Sequence, residues 1–377
     1  MKFNLYLSLI LLFYSATSVA TYKSLYETGF DRLDHVHQLE PKNKIFSHLK
    51  RKQRGVFAQY LPQYPLWSDG SIKKRWVYIP KRAQIDTRDP DNWVFPTGTK
   101  FWKEFAFEEN GSLRKIETRL MEKTADDGWI MLTFVWNEAQ TNAVLAPEAG
   151  IKNHYELANG KFYDIPSQHD CEYCHSKAGI DNGPQKTPVL GFSALQLSDD
   201  RDPNAIHGEP LTKGMMTLLA LQKRKIVSHK MDYLPAIAES EYAPLQRSVF
   251  GYLHGNCGHC HNESGLAEFT NTLNFNHKAT ARFIQQNGTY KTAIAKPITA
   301  YLQPAGSPTL VINPGNAADS ALIYRMTEEF EQYTFLVPEW HHSAGFSLTL
   351  GVKMPFVGTN IIDQTAIDVI TEYINNL

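Results

Sequence analysis

Cysteine is scarce: the chain of 377 residues has only four. Two close pairs with no others cannot build a disulfide framework, which needs cysteines spread along the chain. A dominant charge is missing as well. Lys and Arg number 38 against 39 Asp and Glu, for a formal net charge of −1. With no basic run and no Gly-rich dinucleotide fingerprint, nothing supports a nucleic-acid role or a Rossmann-type site. Long hydrophobic runs are also lacking, since the apolar stretch over residues 5–14 is too short to cross a bilayer comfortably.

What is present is specific. All four cysteines lie in two runs of one pattern, Cys171-Glu172-Tyr173-Cys174-His175 and Cys257-Gly258-His259-Cys260-His261. A four-thiolate zinc site is the first alternative, but ribbon pairs stand about 15–20 residues apart. Here 83 positions separate Cys174 from Cys257. A thioredoxin-like redox pair is the second alternative, and neither run sits in a convincing strand-to-helix context. Each run is followed directly by His. In Cys-x-x-Cys-His the two thiols add across the vinyl groups of a haem and the His binds the iron. The expectation is therefore two covalently attached haem c groups, held by Cys171, Cys174, Cys257 and Cys260, with His175 and His261 as iron ligands.

Residues 1–20 read as a secretory signal peptide, with Lys2 as the positive end, residues 5–14 as the apolar core and Ser18-Val19-Ala20 at the cleavage positions. No cysteine near the cleavage point offers a lipid anchor. Export agrees with covalent haem, which bacteria attach outside the inner membrane, so a periplasmic protein is expected.

The remaining chain, about 357 residues, suggests two domains. The expected fold class is α+β: an antiparallel β-rich domain over 21–200 carrying the first haem, then an α-helical cytochrome c-like domain over 201–377 carrying the second. Residues 75–80, 100–107 and 114–121 read as strands, with a tight turn at Glu109-Asn110-Gly111. Residues 129–136 form a continuous apolar run, expected to be a strand buried on both faces. Helices are expected over 214–227, over 244–254 running into the second motif, and over 363–377. The last has Asp363 as its cap and Ile367, Ile370, Ile374 and Leu377 on one face.

Met354, in Lys353-Met354-Pro355-Phe356, stands 93 positions after His261 and just before the terminal helix. A stiff Met-Pro loop can hold a thioether over a haem, so Met354 is expected to be the second iron ligand of the His261 haem. Met326 and the pair His341-His342 compete for that role. At the first haem no comparable partner follows His175, as His207, Met215 and Met216 lack such a setting. An open face there would admit a small-molecule ligand. His154, His169 and Arg119 are the polar groups available to act on it.

These residues carry two resemblances. From about residue 244 onward the chain resembles a class I cytochrome c: helix, haem motif, Met-Pro loop, terminal helix. Its Asn313-Pro314-Gly315-Asn316 and Ser320-Ala321-Leu322 resemble a segment common in exported bacterial cytochrome domains. The long interval before Met354 departs from compact family members and implies an insertion at about 270–310. Phe95-Pro96-Thr97-Gly98-Thr99, Trp102-Lys103-Glu104 and Gly128-Trp129, followed by the first motif, are similar to β-sheet cytochromes that include cytochrome c′-β and the lysine-cross-linked haem cytochromes. In that comparison Lys103 falls on the cross-linking position, while a strand lysine facing solvent is the ordinary reading. Taken whole, with Leu66-Trp67-Ser68-Asp69-Gly70 and Lys74-Arg75, the chain resembles a family of exported bacterial dihaem proteins of uncharacterised role. The Asp69-Gly70 pair reads as a tight turn.

The leading expectation is a periplasmic dihaem cytochrome that passes electrons to a redox partner protein, soluble or membrane-bound. The alternative is a haem oxidoreductase, a peroxidase or an oxidant of a small nitrogen compound, working at an open His175 haem. Haem-based gas sensing is a third.

Overall fold

Runs of aromatic and β-branched residues separated by turn residues dictate a sheet. The computed structural model describes residues 22–30, 55–125, 128–157, 159–175, 187–240, 243–263, 265, 267, 273–298, 307–327, 333–336, 347–350, 353–355 and 358–377. Six strands form an antiparallel meander in chain order: β1 (Val56–Gln59), β2 (Ile72–Ile79), β3 (Lys100–Glu109), β4 (Ser112–Lys123), β5 (Trp129–Trp136) and β6 (Ala143–Leu145). The turn between β3 and β4 is the expected two-residue one. Asn110 and Gly111 both take positive φ, 53° and 77°, a conformation whose twist matches the flanking strands.

Both faces of the sheet are covered. On one, Leu25 and Phe30 pack with Trp76, Trp102, Leu120 and Phe134, and the Trp102 indole donates to Thr28 Oγ1 at 3.0 Å. On the other, Val77, Phe95 and Phe101 meet Phe192, Leu197, Met216 and Leu221. Each fully buried side chain of this kind contributes about 1.5–3 kcal/mol. The expected divide at 200/201 falls inside a stretch whose residues share this core with the sheet. A hairpin of β7 (Ile151–Glu156) and β8 (Phe162–Ile165) then leads into α1 (Gln168–His175).

The rest of the chain carries α2 (Leu218–Lys223), α3 (Gln246–Asn256), α4 (Gly288–Thr292), α5 (Ala321–Thr327), the paired β9 (Tyr333–Leu336) and β10 (Ser347–Leu350), and α6 (Gln364–Asn375). The architecture is thus mixed α+β. Val249, Phe250 and Leu253 of α3 pack on Ile367, Ile370 and Ile374 of α6, and Phe250 meets Tyr373 edge-on with ring centroids 5.9 Å apart. Asp363 caps α6 as expected, accepting from the Ala366 N–H at 3.1 Å. The Asn313–Asn316 turn seats on the same helix: Gly315 N–H donates to Ile374 O at 2.9 Å and Ala317 N–H to Asn375 Oδ1 at 2.9 Å. Phe275, Ala293, Val311 and Ile312, in and beside the expected insertion, lie in this core.

Three expectations need correction. The helix expected over 214–227 covers only Leu218–Lys223. Gly214 has φ 95°, Met216 N–H bonds to Gln59 O at 2.7 Å beside the sheet, and Lys225 turns to φ 57°. β5 is not buried on both faces, because Trp129 to Leu132 are only half-buried, and Met131 and Leu132 border a cavity. Leu377 lies beyond the end of α6 and is exposed. Among the described residues no helix is long and apolar enough to cross a membrane. The expected signal peptide lies outside the described residues.

The segment between β1 and β2 joins the two parts of the molecule. Tyr64, buried to 1% exposure, lies against α3 at Gly251 and Gly255. A Cβ at Gly251 would stand 2.0 Å from the Tyr64 ring. Gln196 clasps Tyr64 by both backbone groups, at 3.0 and 3.1 Å. Asn256 accepts from Trp67 N–H at 2.6 Å and donates to Pro65 O at 3.2 Å. Gly251→Ala should destabilise the protein by about 1–3 kcal/mol through overpacking, despite alanine's better helix propensity. Denaturant titration checks this; an unchanged midpoint would mean that the Tyr64 contact yields freely.

Candidate functional site

The first motif occupies α1. Ser167 and Asp170 start the helix reciprocally: Asp170 Oδ2 accepts from Ser167 N–H at 2.9 Å and from Ser167 Oγ at 2.8 Å, and Asp170 N–H donates to Ser167 Oγ at 3.1 Å. Cys171 and Cys174 sit on successive turns and His175 ends the helix. The His175 ring is held by one contact, Nδ1 to Pro188 O at 2.7 Å. A carbonyl only accepts, so Nδ1 carries the proton and Nε2 keeps its lone pair. This is the orientation in which a histidine binds a metal. Burial lowers the His175 pKa from its usual value, which favours the same neutral ring.

The second motif continues from α3. Cys257 caps the helix, and His261 N–H returns to Cys257 O at 2.8 Å. Asn262 Nδ2 ties the turn by donating to Gly258 O at 2.8 Å and His259 O at 2.9 Å. The His261 ring lies edge-on to Phe275 at 5.4 Å, and Phe275 N–H donates to His261 O at 2.9 Å. One helical turn before Cys257, His254 Nδ1 accepts from His277 N–H at 3.1 Å. Burial pushes His254 down to about 3 and His277 down to about 4.

The two motifs meet. The ligand atoms of Cys174, His259 and Cys260 all lie within 4.8 Å of one another. Their hydrogen bond favours the thiolate on Cys174 and keeps the proton on Cys260. Burial raises Cys171 and pushes Cys257 up to about 12. No disulfide joins the four cysteines. His259, one of the two variable positions of its run, was not singled out by sequence, and nothing in the motif pattern marks it.

Around the first motif lies a cavity of about 270 Å³. Cys171, Cys174 and His175 line it, with Gly255, Asn256 and His259 from the second motif's side. The sheet supplies an apolar wall through Phe101, Leu120, Met121, Met131 and Leu132. Arg75, Lys103 and Arg119 also line it, and they form one row across the sheet, Arg75 opposite Lys103 and Lys103 opposite Arg119. Apolar walls, two thiols, an oriented imidazole and buried cations fit a haem, whose ring is apolar and whose propionates are anionic.

Of the distal candidates, only Arg119 lines this cavity. It pairs with the fully buried Glu117, and Tyr163 OH also donates to that carboxylate. Burial pulls the Arg119 pKa down, but Glu117 outweighs it and the net direction is up. His154 is half-buried on β7 and does not line the cavity. His169 is exposed beside Glu172 at 3.5 Å. Lys103 borders the cavity rather than facing open solvent.

Among the candidates for the second iron, Met354 donates its N–H to Arg325 O at 2.6 Å, and the next residue, Pro355, lines the first motif's cavity. Met326 is buried in the α3–α6 core. His341 and His342 lie outside the described residues. His207 is engaged elsewhere: its Nε2 bonds Asp363 at 2.9 Å and its ring stacks on Trp67 at 4.9 Å. Met216 is buried in the sheet-side core and Met215 lies in the turn before α2. The Asp69-Gly70 turn forms as expected, with Asp69 at φ 51° and Gly70 at φ 72°, and Trp67, Ser68 and Asp69 line the cavity. Asp69 Oδ1 also accepts from Asn360 and Ile361 N–H, both at 2.8 Å, fastening the segment after Met354 to the cavity rim.

A depressed folded-state pKa makes stability fall as protons are added. His254 and His277 should hold their full contribution above about pH 6.5 and lose it as the pH falls toward about 4 and about 3. Denaturant midpoints between those limits should fall with pH, and His254→Asn should flatten the slope; an equally steep slope would exclude His254 as a source. No family model, no curated protein and no solved structure matches the chain.

Proposed function

We propose that the chain is an exported, periplasmic dihaem c-type cytochrome that transfers electrons between its two haems and a partner protein. The observation that supports this reading is the cavity at the first Cys-x-x-Cys-His run, lined by Cys171, Cys174 and His175, whose ring is turned by the Pro188 carbonyl, with His259 of the second run on the same wall. Cys171, Cys174 and His175 would hold one haem, and Cys257, Cys260 and His261 the other. Such a group supplies a one-electron couple. In this reading Met354 would join His261 in holding the second iron, and the α3–motif–α6 unit would be a cytochrome c-like domain. The packing of α3 on α6 and the seating of the Asn313–Asn316 turn on α6 support that unit.

A second reading is favoured by one observation. Arg119, with buried Glu117 and the Tyr163 hydroxyl, lines the cavity beside Cys171 and His175. An arginine held by a carboxylate is a polar group suited to polarise a small bound substrate, as a peroxidase or an oxidase of small nitrogen compounds requires.

The purified mature protein should be red and carry two haems by mass and haemochrome spectrum. Cys171→Ala/Cys174→Ala should retain one haem; a colourless or zinc-loaded wild-type chain would sink the reading. In the holoprotein, Met354→Ala should convert one six-coordinate, low-spin iron to high spin, and an unchanged spectrum would remove Met354 as a ligand. Cyanide or nitric oxide binding at one haem alone would favour the enzyme over the pure electron carrier.

A further inference from the structure

The charges on the cavity wall do not cancel. Lys152 is spent on Asp164 at 3.0 Å, Asp170 on the start of α1, and Asp69 on the Asn360 and Ile361 amides. Arg119 is matched by Glu117. Two cations remain. Arg75 is 5% exposed and its Nη1 is buried without a hydrogen-bond partner among the described residues. Lys103 Nζ lies over the face of Phe105, 4.7 Å from the ring centroid. These two stand directly opposite each other on β2 and β3. Like charges so placed repel, and a buried guanidinium nitrogen without a hydrogen bond is costly, although Tyr60 and Glu209 offset part of the Arg75 charge. Burial lowers the pKa of both, with Arg75 adding to the effect at Lys103.

We propose that Arg75 and Lys103 form a binding site for a carboxylate or small oxyanion at the first motif. The planar guanidinium offers a two-pronged donor and the ammonium a point charge, so one anion can bridge them. That chemistry has two sources: a propionate of the haem held by Cys171 and Cys174, or a dissociable anion drawn to that haem. The first source rests on the haem reading; the second does not.

Formate and sulfate titrated into the protein as isolated separate the sources. A dissociable site gives a saturable calorimetric isotherm, weakened at least tenfold in Arg75→Gln and in Lys103→Gln but not in Lys223→Gln, a change of an exposed α2 residue. A propionate site gives no isotherm in the wild type. Instead, in both variants the midpoint potential of one haem falls and its propionate ionisation moves to higher pH, while Lys223→Gln keeps the wild-type profile. Anion binding undiminished in both variants, or no binding together with an unchanged pH profile, overturns the proposal. A chain isolated without haem fails the cytochrome reading separately; the isotherm then decides alone, and its absence overturns the anion site.

Discussion

Tyr64 lying on two glycines of α3 is the contact on which the remaining arrangement depends. Without a side chain at Gly251 or Gly255, the helix lets the β1–β2 connection approach to van der Waals distance. Asn256 then exchanges hydrogen bonds with Pro65 and Trp67, one residue before Cys257 begins the second motif. The first motif reaches the same place from the other side, carried on a short helix after the β7–β8 hairpin. Two Cys-x-x-Cys-His runs far apart in sequence therefore meet at one cavity, the first through Cys171, Cys174 and His175 and the second through His259.

The cavity wall shows how a meander can align charged side chains. Residues at matching register on adjacent strands form a row, and here the row is Arg75, Lys103 and Arg119. Its flanks on the same strands are apolar, Phe101 and Phe105 beside Lys103. A polar row on an apolar wall suits a ligand that is itself an apolar plate with charged edges. The same juxtaposition explains why β5 is only half-buried, since part of its length faces this space rather than a packed layer.

Much of this was readable residue by residue. The strand limits of β5, the Asn110-Gly111 turn and the Asp363 cap follow from local rules, because turn dihedrals and helix ends are decided by a few neighbouring atoms. The helix expected over 214–227 failed for the opposite reason. Its apolar spacing is genuine, but Met216 is claimed by the sheet through Gln59, and tertiary pairing overrides periodicity. His154 and His169 were reasonable distal candidates by type and position. Neither lines the cavity: His154 sits on the β7–β8 hairpin and His169 is exposed on the first turn of α1, placements that no count along the chain reveals.

By itself the sequence determined the chemistry on offer: four thiols in two pairs, an imidazole after each pair, and a methionine-proline step before a capped terminal helix. Those are covalent facts that no fold can alter. Only the tertiary structure decided which groups share a space: His259 beside Cys174, Arg75 across from Lys103, and Arg119 rather than His154 or His169 on the wall. Such pairings depend on strand register and helix packing, where residues distant in sequence are placed by the summed burial of many side chains.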